Sequence, residues 1–235
     1  MIVEVCGLRE PENIRAVEQL AVDRIGFIFH PRSPRYLPMI PSSAGIIPDR
    51  PVADMNIPRS SRVSRLGVFM DEMPQNIVTR VYNYRLDAVR LQGTETREAC
   101  ENLRRTLDPD IRPGIAIIKG WTVRTVADIR RWKDYEGAVD AFFFHLPMAT
   151  AGDRLDLGLL EAYDGNIPFI IGGDIAPEDA SRLGGLRHPM FMGVSLNTHF
   201  ETAAGIKDIE KLQSFLERLR DGRQTENHRH ADCHH

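Results

Sequence analysis

Short apolar runs recur along the chain, and the stretches between them place apolar residues on one helical face. The runs are IVEVC at 2–6, IGFIF at 25–29, RLGVFM at 65–70, DAVRLQ at 87–92, GIAIIK at 114–119, VDAFFFH at 139–145, PFIIGG at 168–173 and MFMGVS at 190–195. They read as near-continuous apolar segments, the pattern of strands buried on both faces. Between them, PENIRAVEQLAV has Pro11 in its first turn and Ile14, Val17 and Leu20 on one face, as a helix should. MPQNIVTRVYNY, TREACENLRRTL, TVRTVADIRRW, a segment around 156–164, APEDASRLG and a closing KDIEKLQSFLERL complete the predicted helices. Eight strands mostly alternating with helices predict a single α/β domain over residues 1–221, a (β/α)₈ TIM barrel. A doubly wound sheet fits the same alternation, because closure is not written in the pattern. Prolines at 38, 41, 48, 51 and 58 exclude a long regular helix from residues 38–62. That segment reads as a loop that replaces or shortens the second helix.

Composition narrows the function classes. The chain has 235 residues, 42% hydrophobic and 27% charged, with a net charge of −3, so nothing suggests a nucleic-acid footprint. No apolar run reaches the ~18 residues of a membrane helix, and the N-terminus lacks the pattern of a signal peptide. Cys6, Cys100 and Cys233 are odd in number and widely spaced, which fits reduced thiols in a cytoplasmic protein. The ending TENHRHADCHH holds four of the eight histidines. With nothing apolar to bury, residues 222–235 read as a disordered, solvated tail; metal binding by its histidines is the other reading.

In a (β/α)₈ barrel the chemistry sits at the C-terminal ends of the strands. Those ends read Cys6, the FHPRSPRYL loop, Met70-Asp71, Gln92, Lys119, His145, Gly172-Gly173, and Ser195 with Asn197 and Thr198. A thiolate at Cys6 could act as base or nucleophile. A buried structural cysteine accounts for it equally well.

The segment VCGLREPENIRAVEQLAVDRIGFIFHPRSPRYL resembles the start of phosphoribosylanthranilate isomerases of tryptophan biosynthesis. The resemblance continues through LGVFMDE, LDAVRLQGTE, PFIIGGDIAPEDA and GVSLNTHFETAAGIKD, in order, to about residue 221. It implies a (β/α)₈ barrel that carries out an Amadori rearrangement of N-(5′-phosphoribosyl)anthranilate with no cofactor and no metal. It also implies a small phosphorylated substrate as partner, with neither nucleic acid nor membrane; it leaves the oligomeric state open. By position, Cys6 would be the general base at C2 of the sugar. Arg35 of SPRY would lie near the anthranilate carboxylate, where a guanidinium fork suits the geometry. Backbone N–H groups after the sixth, seventh and eighth strands would hold the phosphate, at Gly152, Gly172, Gly173, Asn197 and Thr198.

The departures from the family cluster at the same strand ends. The acid aspartate of the sixth strand is His145 here, which as histidinium can donate a proton near neutral pH, or which merely fills the barrel mouth. The glycine-rich phosphate segment is Ala149-Thr150-Ala151-Gly152. Gln92 stands for a histidine and Ser195 for an aspartate, both expected to face substrate. Asp174 follows Gly173 where the family has an apolar residue; it stands beside the phosphate or turns away to cap the next helix. The expectation is therefore an isomerase with an altered acid. The alternative is a diverged or non-catalytic relative that binds another sugar-phosphate-like ligand or a protein.

Overall fold

Continuous apolar runs cannot leave either face in water, so each strand needs neighbours on both edges and cover on both sides. The computed structural model describes residues 1–38, 63–148 and 155–231, with side chains to residue 222. The eight runs form β1 (Ile2–Cys6), β2 (Arg24–Ile28), β3 (Ser64–Phe69), β4 (Ala88–Leu91), β5 (Ala116–Thr122), β6 (Ala141–Leu146), β7 (Phe169–Gly173) and β8 (Phe191–Leu196). They pair in parallel in chain order, and β8 returns to β1 from Ile2↔Gly193 to Val5↔Leu196. That closure decides for the barrel over the doubly wound sheet. Beyond Pro38, the loop expected over 38–62 lies outside the described residues.

Alternation divides the side chains in two. Cys6, Leu66, Val68, Ile118, Phe143 and Ile170 form the inner cluster. Val5, Phe27, Val89, Ile117, Phe142 and Phe144 face out and pack under the helices. The helices are α1 (Pro11–Glu18), α2 (Pro74–Tyr84), α3 (Arg97–Leu107), α4 (Val126–Arg130), α5 (Ala180–Gly184) and α6 (Ile209–Ala231). Proline opens α1 and α2, where no N–H partner is lost. The Thr96 side chain caps α3, which buries Cys100, Leu103 and Leu107 along one stripe; Cys100 is thus a core residue. Among the described residues, no helix is long and apolar enough to cross a membrane.

Five elements differ from the sequence pattern. The fifth strand, expected at 114–119, is shifted to Ala116–Thr122. Gly114 turns the chain with φ +72°, and Trp121 stays in the strand because its ring packs on Phe142 and Phe144, at 5.4 and 5.5 Å between centroids. The helix after it therefore starts late, behind a Thr125–Asp128 capping box. The helix expected around 156–164 is a 3₁₀ segment, Leu157–Ala162, and the one at 176–184 is 3₁₀ over Pro177–Asp179 before it becomes α5. α6 passes the end expected at 219 and enters the histidine-rich segment; residues 232–235 lie outside the described residues.

After β8 a small hairpin, β9 (Glu201–Ala203) with β10 (Ile206–Lys207), holds an ion cluster. Arg35 Nε and Nη2 donate to both carboxylate oxygens of Glu201, at 2.6–3.0 Å. Lys207 Nζ donates to Glu201 Oε1 at 2.7 Å. Burial works against the Glu201 charge, but the hydrogen bonds from Arg35 and Lys207 win and hold its carboxyl below the ordinary value.

Two outcomes follow from the packing. Phe144→Ala should cost about 3–5 kcal/mol in urea unfolding, against within about 0.5 kcal/mol for exposed Tyr82→Ala. Because the folded Glu201 carboxyl lies below its unfolded value, its stabilisation is complete above that unfolded value and disappears as pH falls through the folded one. Thermal unfolding between about pH 6 and about pH 3 should show the wild type losing its advantage over Glu201→Gln; an advantage that is constant over that range would refute the assignment.

Candidate active site

At the C-terminal mouth a cavity of about 110 Å³ opens where β1, β4, β6 and β8 converge. Cys6 reaches it from the end of β1 and His145 from β6. Gln92 enters just after β4, with Arg90 two residues earlier on the same face. Gly173 and Asp174 border it from β7, and Ser195, Asn197 and Thr198 from β8. Two roomier hollows, of about 210 and 380 Å³, share Met1 and so lie at the opposite end of the barrel. Conserving the fold, not running chemistry, is what that end of such barrels does. The smaller cavity holds the thiol, the imidazole and the carboxylate together.

Gly7 explains why the thiol is followed by glycine. Its φ is +81°, and a Cβ there would stand 2.7 Å from both Arg35 Cδ and Asn197 Oδ1. The chain can thus turn sharply after Cys6 while the loops after β2 and β8 close over it. Gly173 has φ +109°, and a Cβ would run into the Leu146 carbonyl oxygen.

Cys6 is 4% exposed. Burial pushes its thiol up to about 11; Arg90 and Lys207 oppose this and Glu4 adds to it. The lowered thiol that a base near neutral pH requires is not supplied by the protein's own groups. Burial also pushes the His145 imidazole below its ordinary 6.5; Asp174 works against that, and Arg90 and Arg124 work with it. Asp174 does not cap the following helix. Its Oδ2 accepts the Met148 N–H at 3.0 Å, and its Oδ1 lies 3.9 Å from His199 Nε2.

Several expected substrate contacts already have protein partners. Arg35 does not line the cavity; the carboxylate it grips is Glu201. Ser195 borders the cavity, but its hydroxyl donates to Glu4 Oε1 at 2.6 Å. Asn197 Oδ1 accepts from Lys207 Nζ at 2.7 Å, and Thr198 opens a 3₁₀ turn, Thr198–Phe200. Gly172 pairs with His145 in the strand register and does not border the cavity. Gly152 lies outside the described residues. Lys119, read at a strand end, sits inside β5 and donates to Gly93 O and Glu95 Oε2, each at 2.8 Å. The pattern reading passed over Glu4 and Arg90. The available signal was a charge inside a buried apolar strand, two residues before a site residue and hence on its face.

Comparisons with known proteins bear on the chain as a whole. The family model for N-(5′-phosphoribosyl)anthranilate isomerase matches residues 3–218. A relative of that name from Parabacteroides distasonis is 35% identical over 224 residues, 93% of each chain. Another from Phocaeicola vulgatus is 33% identical, over 94% of this chain and 98% of its own. Among solved structures, the Thermus thermophilus phosphoribosyl anthranilate isomerase aligns with TM-score 0.72 at 25% identity, over 94% of this chain and 99% of its own. A phosphoribosyl anthranilate isomerase in complex with reduced 1-(o-carboxyphenylamino)-1-deoxyribulose 5-phosphate aligns with TM-score 0.73 at 23% identity, over 94% and 100%, a likeness of fold. With its closed eight-stranded barrel and a match over nearly its whole length, the chain belongs to the N-(5′-phosphoribosyl)anthranilate isomerase family.

Proposed function

We propose that the chain rearranges N-(5′-phosphoribosyl)anthranilate to its 1-deoxyribulose 5-phosphate isomer, with Cys6 as base and His145 in place of the acid aspartate. The observation that carries this is that Cys6 and His145 open onto one cavity at the C-terminal mouth. The imidazolium gives its proton to the furanose ring oxygen as the C1–O bond breaks, and the nitrogen lone pair forms C1=N. The thiolate takes the proton from C2, that C–H electron pair forms C1=C2, and the C1=N pair returns to nitrogen, leaving the neutral enol-amine. No oxidant, metal or cofactor enters the balance. The phosphate is proposed to sit at the rim, against Gly173, Asn197 and Thr198. The catalytic unit is proposed as residues 1–221, followed by the 222–235 tail, in a cytoplasmic protein.

The two groups titrate in the reverse of the order that their roles would favour. The imidazole lies below 6.5 and the thiol at about 11, so the reacting pair is the minority form. At any neutral pH, fewer than about one molecule in 10⁴ carries imidazolium and thiolate together. That fraction rises with pH up to the imidazole value, then stays level until the thiol value. Asp174 raises the imidazole, so its removal lowers the break and the plateau together.

The first test is turnover of freshly prepared phosphoribosylanthranilate, followed by loss of its fluorescence. Cys6→Ala and His145→Ala should each lose about 10²-fold or more in kcat, and His145→Asp should keep or raise it. Equal activity in His145→Ala would take histidine out of the mechanism. No turnover by well-folded wild type would favour the diverged relative instead. Asp174→Asn should move the break in kcat/KM to lower pH and lower the His145 imidazole seen by NMR; an unmoved imidazole would dismiss Asp174 as its partner.

A further inference from the structure

Beneath the cavity the barrel holds charges where such barrels normally stack branched apolar side chains. Glu4 is fully buried on β1, two residues before Cys6 and on its face. Arg90 on β4 is 1% exposed, and its Nη2 donates to Glu4 Oε1. Its guanidinium lies over the Phe143 ring, 3.9 Å from the centroid. Glu4 has further partners: Ser195 Oγ at 2.6 Å and Arg24 Nη1 at 3.6 Å. Arg90 is less well matched. Its Nε is buried with no hydrogen-bond partner among the described residues, and the side chain borders the cavity beside Cys6.

A buried ion pair is weak evidence for stability, since well-packed apolar residues in its place are often neutral or better. The location of this pair suggests another use. We propose that Arg90 is a positioning residue for the proton transfer: its guanidinium is the counter-ion of the Cys6 thiolate, and Glu4 fixes where that charge stands. This rests on Cys6 being the base.

The other charges facing Cys6 do not substitute for it. Lys207, on β10, is taken up by Glu201 and Asn197, both at 2.7 Å. His145 and Asp174 border the same cavity from β6 and β7, and the carboxylate would disfavour a thiolate. Of the groups that lower the thiol, Arg90 is the strongest, and Glu4 acts in the opposite sense. The two halves of one ion pair therefore push the thiol in opposite directions.

The test is the rate of Cys6 alkylation by iodoacetamide at about pH 8, read on the Cys6 peptide by mass spectrometry to separate it from Cys100 and Cys233. Below the thiol pKa that rate follows the thiolate fraction, tempered by the lower nucleophilicity of a lower-pKa thiolate, so a tenfold change reads roughly two pKa units. Glu4→Gln should alkylate about tenfold faster than wild type, and Arg90→Met about tenfold slower, with Arg90→Lys returning towards wild type. A folded Arg90→Met with an unchanged rate, or a Glu4→Gln that is unchanged or slower, overturns the proposal. Should Arg90→Met fail to fold, Glu4→Gln and Arg90→Lys decide it by the same signs. Turnover that survives Cys6→Ala would defeat the base reading and this inference with it. An inactive Cys6→Ala beside unaltered alkylation rates would defeat this inference alone.

Discussion

β8 beside β1 is the contact on which the site depends. Until those strands pair, Glu4 and Ser195 are 191 residues apart; once they do, they are register partners and the serine hydroxyl reaches the carboxylate. The same closure sets Asn197 over Gly7 and carries the β9–β10 hairpin to Arg35. A parallel sheet left open at this edge would lose the pocket and uncover the inner apolar cluster. Closure pairs the two ends of the chain, the costliest contact in loop entropy.

The ring also explains which features the sequence made legible. A strand buried on both faces shows itself by composition alone, so all eight were readable, and so was the placing of Cys6 and His145 at one mouth. The fifth strand slipped because its fate is decided by Trp121 packing on β6, a neighbour that no local pattern names. Leu157–Ala162 has helical apolar spacing yet winds as 3₁₀, and Pro177–Asp179 is a 3₁₀ lead-in to α5; apolar spacing does not separate these from α-helix.

The site was less legible than the fold for the same reason. Arg35 and Glu201 are 166 residues apart, and only the assembled ring shows that the fork expected to meet a substrate carboxylate meets a protein carboxylate. Ser195 has the identical history with Glu4. Asp174 was poised between two roles, and the Met148 N–H decided it, by tying the end of β7 to the loop after β6 and keeping the carboxylate on the cavity. Residue type and strand end tell where a side chain starts; register across the ring tells which partner it finds.

Burial then sets the terms on which the chemistry runs. One low-dielectric cavity drives the Cys6 thiol up to about 11 and the His145 imidazole down, each away from its reacting form. A negative charge brought in by substrate would ease only half of this: near the rim it favours imidazolium, as Asp174 does, and at the same time disfavours thiolate. On the thiol side, cations fixed in the protein oppose burial without overcoming it, and such a cation serves best if it approaches Cys6 without approaching His145 equally. Arg90 partly fails that condition, since it also depresses the imidazole. The Asp174 carboxylate beside His145 works against that effect on the acid, while Arg90 supports the base.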